Sequence, residues 1–156
     1  MNKIIKLLAL ILLCEGVGFL GTIFTLPSIP TWYATLHKAP FNPPPWVFAP
    51  VWTTLYFLMG VSLFLILQKK LKKQRNFLLI LFSAQLFLNF LWSVIFFGMH
   101  LPLVALLEIS LLWISIALLI VGFWKFSKSA AMLLIPYIFW VSIASVLNLF
   151  VVLLNP

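Results

Sequence analysis

Five stretches of roughly twenty mostly apolar residues, about 4–26, 47–68, 77–98, 103–124 and 130–153, decide what this chain can become. Each has the length an α-helix needs to cross the hydrocarbon core of a bilayer, about 20 residues. Of the 156 residues, 65% are hydrophobic and 8% charged, against about 25% charged in soluble domains. In water such a chain would expose apolar patches that drive aggregation. Lipid tolerates that surface, but every backbone N–H and C=O in it must be satisfied internally, which leaves helices or closed barrels. A barrel needs apolar residues at alternate positions, and these runs are apolar all round. The fold class is therefore an all-α membrane protein, a single domain of five transmembrane helices. A long connection, about 27–46, joins the first two.

The basic residues orient the bundle. Lys3 and Lys6 precede the first run, Lys69, Lys70, Lys72, Lys73 and Arg75 join the second and third, and Lys125 and Lys128 join the fourth and fifth. Five crossings put all nine on one side and leave Lys38 alone on the other. By the positive-inside rule the N-terminus is cytoplasmic and the C-terminus lies on the opposite face. The net charge of +8 is thus a topology signal, and no nucleic-acid partner is expected. Lys3 and Lys6 before an apolar run also resemble a signal peptide. No small-residue cleavage site follows and the run continues past Glu15, so it reads as an uncleaved first helix. The single cysteine, Cys14, excludes an internal disulfide and reads as a small buried residue.

The 27–46 connection holds Pro27, Pro30, Pro40, Pro43, Pro44 and Pro45 among Trp32, Tyr33, Phe41 and Trp46. Prolines forbid a continuous helix there. The interleaved aromatics give the segment something to pack with, so it is expected to be ordered and to act as a lid built on Trp32, Phe41, Pro43, Pro44 and Trp46.

Inside the runs the polar residues are few and regularly spaced. Gln85, Asn89 and Ser93 fall at i, i+4 and i+8 on the third helix, making one stripe with Trp92 beside it. Such groups face a bundle interior, where they either tie helices together or serve a site. Trp52 and Tyr56 share a face of the second helix, and Tyr137, Trp140, Ala144 and Asn148 share one on the fifth. Two aromatic stripes and one amide stripe can enclose a flat, largely apolar guest. Glu15 and Glu108 have no basic residue within a span to pair with, so each is expected to be neutral, hydrogen-bonded, or in contact with a proton path or a cation. Trp113, Trp124 and Trp46 suit an interfacial belt. Gly16, Gly18 and Gly21 suit close helix approach. His37 and His100 lack a third ligand and make no metal site. No nucleophile–histidine pair, phosphate loop or cysteine cluster is present.

Several of these residues form longer runs. Trp32-Tyr33-Ala34-Thr35-Leu36-His37-Lys38, Phe41-Asn42-Pro43-Pro44 and Trp46-Val47-Phe48-Ala49-Pro50-Val51-Trp52-Thr53-Thr54-Leu55-Tyr56 with Met59-Gly60 come first. Gln85 through Ser93, Phe96-Phe97-Gly98, and Pro136-Tyr137-Ile138-Phe139-Trp140 with Ala144 and Asn148 follow in order. This series resembles the TspO/translocator family of tryptophan-rich sensory proteins. Two departures stand out: Ala39 and Phe41 occupy places where the family usually has Pro and Trp, and Leu149 occupies the Tyr place of the sterol-recognition segment of animal members. The resemblance implies a ligand cavity opening towards the 27–46 loop and lined by Tyr33, Trp52, Tyr56, Asn89, Trp92, Ser93, Trp140 and Ala144. It implies porphyrins, protoporphyrin IX or haem, as ligands, with no obligatory cofactor. A sensor or regulator is the expected function, with a porphyrin or lipid transporter as the alternative. Some bacterial members degrade bound porphyrin in light, which would give Trp52 and Trp140 a photochemical role. A homodimer is implied by the resemblance alone, and a bacterial cell membrane is the expected location.

Overall fold

A computed structural model describes residues 2–156. Its five long helices are α1 (Lys3–Ser28), α2 (Phe48–Leu67), α3 (Arg75–Ser93), α4 (Pro102–Trp124) and α5 (Ile135–Leu154). All five spans are long and apolar enough to cross a membrane, counting the turns that extend α2, α3 and α5. Helix ends follow local chemistry. Asn2 caps α1, its side chain accepting from the Ile4 N–H at 3.2 Å. Pro27 lies in the last turn of α1, which ends at Ser28, two residues beyond the expected end of the apolar run. Pro45 opens a 3-10 turn (Pro45–Val47) into α2, and Pro102 sits in the first turn of α4, where a missing N–H costs nothing. The fifth span is broken. A short helix, Lys128–Met132, precedes α5, and Pro136 occupies the first turn of the new helix because it cannot donate back into the old one.

The helices alternate in direction. α1 lies against α2 and α3, α3 against α4, and α4 against α5, while the Lys128–Met132 helix fills the space beside α2. Ser62 fixes that last contact by donating to the Ala130 carbonyl at 2.7 Å. The core runs down the middle through Met59, Ile66, Phe82, Leu112, Ile116, Phe123, Tyr137 and Val141. The outer faces are apolar and exposed, as at Leu12 and Ile23 on α1 and Leu107, Leu111 and Leu118 on α4. This is the surface that a lipid environment requires.

Two glycines set how closely α1 approaches its neighbour. A Cβ on Gly60 would lie 2.6 Å from the Ile11 Cα, and one on Gly18 would lie 2.3 Å from the Tyr56 ring. Gly21 faces Ser93 of α3, whereas Gly16 has nothing within 4 Å and so takes no part in the close approach expected of it.

The 27–46 connection is ordered and tied to the far end of the chain. The His37 N–H donates to Asn155 Oδ1 and Asn155 Nδ2 donates to the His37 carbonyl, both at 2.9 Å. Phe41 meets Phe150 of α5 edge to face, 5.4 Å between centroids. Lys38 turns its Nζ inward to the carbonyls of Tyr33 (2.7 Å) and Leu36 (2.9 Å) and lies 4.8 Å from the Tyr33 ring centroid. The buried Ala39, standing where the related pattern has proline, accepts from the Asn42 N–H at 3.0 Å.

Candidate functional site

α1 and α2 touch where Ile11 meets Gly60 and where Gly18 meets Tyr56. Towards the loop end they leave a cavity of about 300 Å³ between them and the inner faces of α3 and α5. α1 contributes Glu15, Gly18, Phe19, Gly21, Thr22, Thr25 and Leu26, and α2 contributes Phe48, Ala49, Trp52, Thr53 and Tyr56. Asn89, Trp92 and Ser93 come from α3, Trp140 and Ala144 from α5, and Ile29, Tyr33 and Pro45 close the loop end.

Tyr33, Trp52, Tyr56, Asn89, Trp92, Ser93, Trp140 and Ala144 therefore all stand on one wall or another of this cavity. None of Trp32, Phe41, Pro43, Pro44 and Trp46 lines it. Trp46 is 73% exposed. Trp32 is held outside, stacked on His100 at 4.3 Å and edge-on to Phe96 at 5.4 Å. The residues that cap the cavity on the loop side are instead Tyr33, Pro45 and Ile29. The Tyr33 phenol donates to Asn42 Oδ1 at 3.0 Å. Burial pushes that phenol above its ordinary pKa, and the Asn42 hydrogen bond draws it part of the way back. Of the exposed members of the lining, Phe19 and Leu26 stand on α1 and Ala49 and Thr53 on α2, while Pro45 stands at the loop end. Most of the exposed lining thus lies on α1 and α2, in the loop-proximal half of the bundle.

Below the aromatic walls is a chain of buried hydrogen bonds. The Tyr56 hydroxyl donates to Asn89 Oδ1. Asn89 Nδ2 donates to the Tyr137 hydroxyl at 2.7 Å, and Tyr137 donates in turn to Gln85 Oε1 at 2.9 Å. Gln85 Nε2 ends the chain against Met59 Sδ at 3.8 Å. The stripe of the third helix thus divides by depth. Gln85 is fully buried in the core, while Asn89 and Ser93 reach the cavity. The fifth-helix stripe divides likewise. Trp140 and Ala144 face the cavity, while Tyr137 is buried behind them. Asn148 is buried too, accepting from Trp92 Nε1 at 3.1 Å and donating to the Pro102 carbonyl at 2.8 Å. These two bonds hold the Trp92 indole in place.

Trp52 stands edge-on to Tyr137, 6.4 Å between centroids, and Trp140 edge-on to Phe48 at 6.0 Å. The Trp140 Nε1–H is buried without a partner among the described residues. An unpaired buried donor costs about 1–3 kcal/mol. Both carboxyl oxygens of Glu108 are also buried without a partner among the described residues, on α4 and away from the cavity lining.

Two features escaped the sequence. Phe97 lines the cavity because α3 ends in a π-helical turn, Val94–Gly98, whose Met99 N–H reaches the Val94 carbonyl at 2.8 Å. An extra residue in a turn shifts every later side chain around the axis, and nothing in the apolar run marks it. Glu15, Gly18, Thr22 and Leu26 form the α1 wall. Their spacing of i, i+3, i+7 and i+11 was visible, but the run is apolar on all sides and offered no contrast to select that face.

The family model described as the TspO/MBR family matches residues 10–154. The chain is 48% identical over its whole length and the whole of the relative to the tryptophan-rich protein TspO of Chlorobaculum tepidum. It is 36% identical to the tryptophan-rich sensory protein of Cereibacter sphaeroides, over 80% of this chain and 77% of that one. It is 37% identical to the translocator protein of Bos taurus, over 84% of this chain and 79% of the relative. With five apolar spans, an ordered connection after the first, and a match running almost from end to end, the chain is an integral multi-pass membrane protein that belongs to the TspO/MBR family.

Proposed function

We propose that this protein binds planar tetrapyrroles such as protoporphyrin IX within the membrane and acts as a sensor or regulator of them. The observation that carries the reading is the cavity walled by Trp52, Trp92 and Trp140, with Tyr56 and Asn89 at its base. Indole faces favour offset or edge contact with a flat π-system, and a few placed polar groups fix its orientation. The volume, about 300 Å³, is at the lower end of the range for small-molecule pockets, roughly 300–1,000 Å³. A tetrapyrrole would therefore project through the α1–α2 seam, with part of the ring against lipid. The names of two relatives, a sensory protein and a translocator protein, agree with a sensing or moving role.

Titrating purified protein in detergent with protoporphyrin IX should quench tryptophan fluorescence saturably. Trp52→Phe together with Trp140→Phe should weaken binding about tenfold while leaving the fold intact by circular dichroism. Unchanged affinity in the double variant would remove the cavity from the reading. An altered porphyrin spectrum after illumination, lost in the same variant, would favour light-driven degradation, and porphyrin flux into liposomes would favour transport.

The cytoplasmic N-terminus and the cell-membrane location belong to the same proposal and rest on the nine-to-one division of basic residues. Ala34 is exposed and Cys14 is buried. An Ala34→Cys protein should react with an impermeant maleimide from outside the cell, and labelling only after the cytoplasmic side is opened would reverse the orientation.

A further inference from the structure

The cavity base is chemically one-sided. On α1 the lining runs from Glu15 to Leu26, with Ile29 just beyond the helix end. At 1.5 Å per residue Glu15 lies about 20 Å below the loop-side cap. It shares that depth with Tyr56, whose ring fills the space left by Gly18 one turn on. Among the described residues, Glu15 is the only acidic or basic side chain in the lining. The hydrogen bonds at the base run among Tyr56, Asn89, Tyr137 and Gln85, and none engages Glu15.

Those bonds also set what the base has left to offer. The Tyr56 proton is committed to Asn89, so its oxygen keeps only lone pairs. One Asn89 N–H is committed to Tyr137. With the Glu15 carboxyl added, the inner end of the cavity is rich in acceptors. Trp140 Nε1 is enclosed within the wall, and the second Asn89 N–H is a donor left beside these acceptors. A carboxylate on a guest meets a like group at this base, whereas a nitrogen-borne proton meets a charge-assisted acceptor, about twice as strong as a neutral one.

We infer that Glu15 selects and orients the guest: the cavity takes flat aromatic molecules that present an ammonium or ring N–H at the end entering first. Carboxylate-bearing edges stay at the α1–α2 mouth. This rests on the ligand-cavity reading above and adds the polarity of the ligand to it. A tetrapyrrole with carboxylates along one edge would enter with that edge outward.

Three anthracene probes of matched shape test it against full-length protein in neutral detergent, read by tryptophan quenching: 2-aminomethylanthracene, anthracene-2-carboxylate and 2-methylanthracene. The wild-type protein should bind the amine at least tenfold more tightly than the carboxylate. Glu15→Gln should weaken the amine about tenfold, leave the methyl probe unchanged, and abolish most of the preference. A preference that survives Glu15→Gln overturns the inference. So does a wild-type protein that ranks the carboxylate first, a result that needs no variant to fold. Binding of all three probes with equal affinity sinks the selectivity alone, whereas failure of the wild type to bind any probe sinks the cavity reading and the selectivity together.

Discussion

Gly60→Ala is expected to be the most damaging small substitution in this protein. Its added Cβ would sit 2.6 Å from the Cα and 2.9 Å from the backbone nitrogen of Ile11. Backbone cannot rotate away as a side chain can, so α1 must move. Overpacking costs about 1–3 kcal/mol in well-packed cores, and this contact belongs at the upper end, about 2–3 kcal/mol. The effect should exceed the helix-propensity gain of alanine over glycine, about 1 kcal/mol. Gly16→Ala isolates that gain, since nothing lies within 4 Å of its Cβ. Thermal unfolding in detergent should lower the midpoint for Gly60→Ala and leave or raise it for Gly16→Ala. Identical midpoints for the two variants would mean that α1 and α2 are not held at the Ile11–Gly60 crossing.

The second large effect is expected at Asn89. Leucine has a similar volume but strips the amide that joins Tyr56 of α2 to Tyr137 of α5. Both phenols lie in the bundle interior, 7% and 1% exposed. Interhelical hydrogen bonds in membranes average only about 0.6 kcal/mol by double-mutant cycle, while leaving a buried polar group unmet costs about 1–3 kcal/mol. The unmet groups should dominate, giving a loss of about 1–3 kcal/mol for Asn89→Leu. Porphyrin affinity should fall by tenfold or more, because Tyr56 loses the partner that fixes its position on the cavity wall. A Tyr56→Phe and Asn89→Leu cycle measures the pair directly. A coupling energy near zero would show that the bond contributes nothing.

Together these variants separate two roles of the same helices. Gly60 governs whether α1 docks on α2, and Asn89 governs what the space between them can hold. Tyr56 links the two, since it packs on Gly18 of α1 and bonds to Asn89, so their effects on stability should couple rather than add.

The five spans were legible in the sequence because lipid imposes a length and a composition that soluble folding does not. The ends of α2 and α4 fell within a residue of expectation, and prolines mark their starts. The break before Pro136 was missed, since an apolar run of the right length hides a change of helix. The aromatic and amide stripes of α2, α3 and α5 were visible for a simple reason: a polar or bulky residue at helical spacing stands out in an apolar background. The same uniform background concealed the cavity face of α1, and it concealed the π-helical turn that brings Phe97 inward.

What the sequence determined by itself was the solvent, the number of crossings and the residue types available to a site, since these depend on local composition and period. The tertiary structure alone decided which stripe residues became wall and which became support, because that depends on depth and on how closely helices approach. Asn89 meets the cavity while Gln85, one turn away, is sealed in the core. Tyr33 and Pro45 cap the cavity while Trp32 and Trp46 stand outside it. Glu15 acquired a place at the base only because two glycines let α1 lie close enough to put it there.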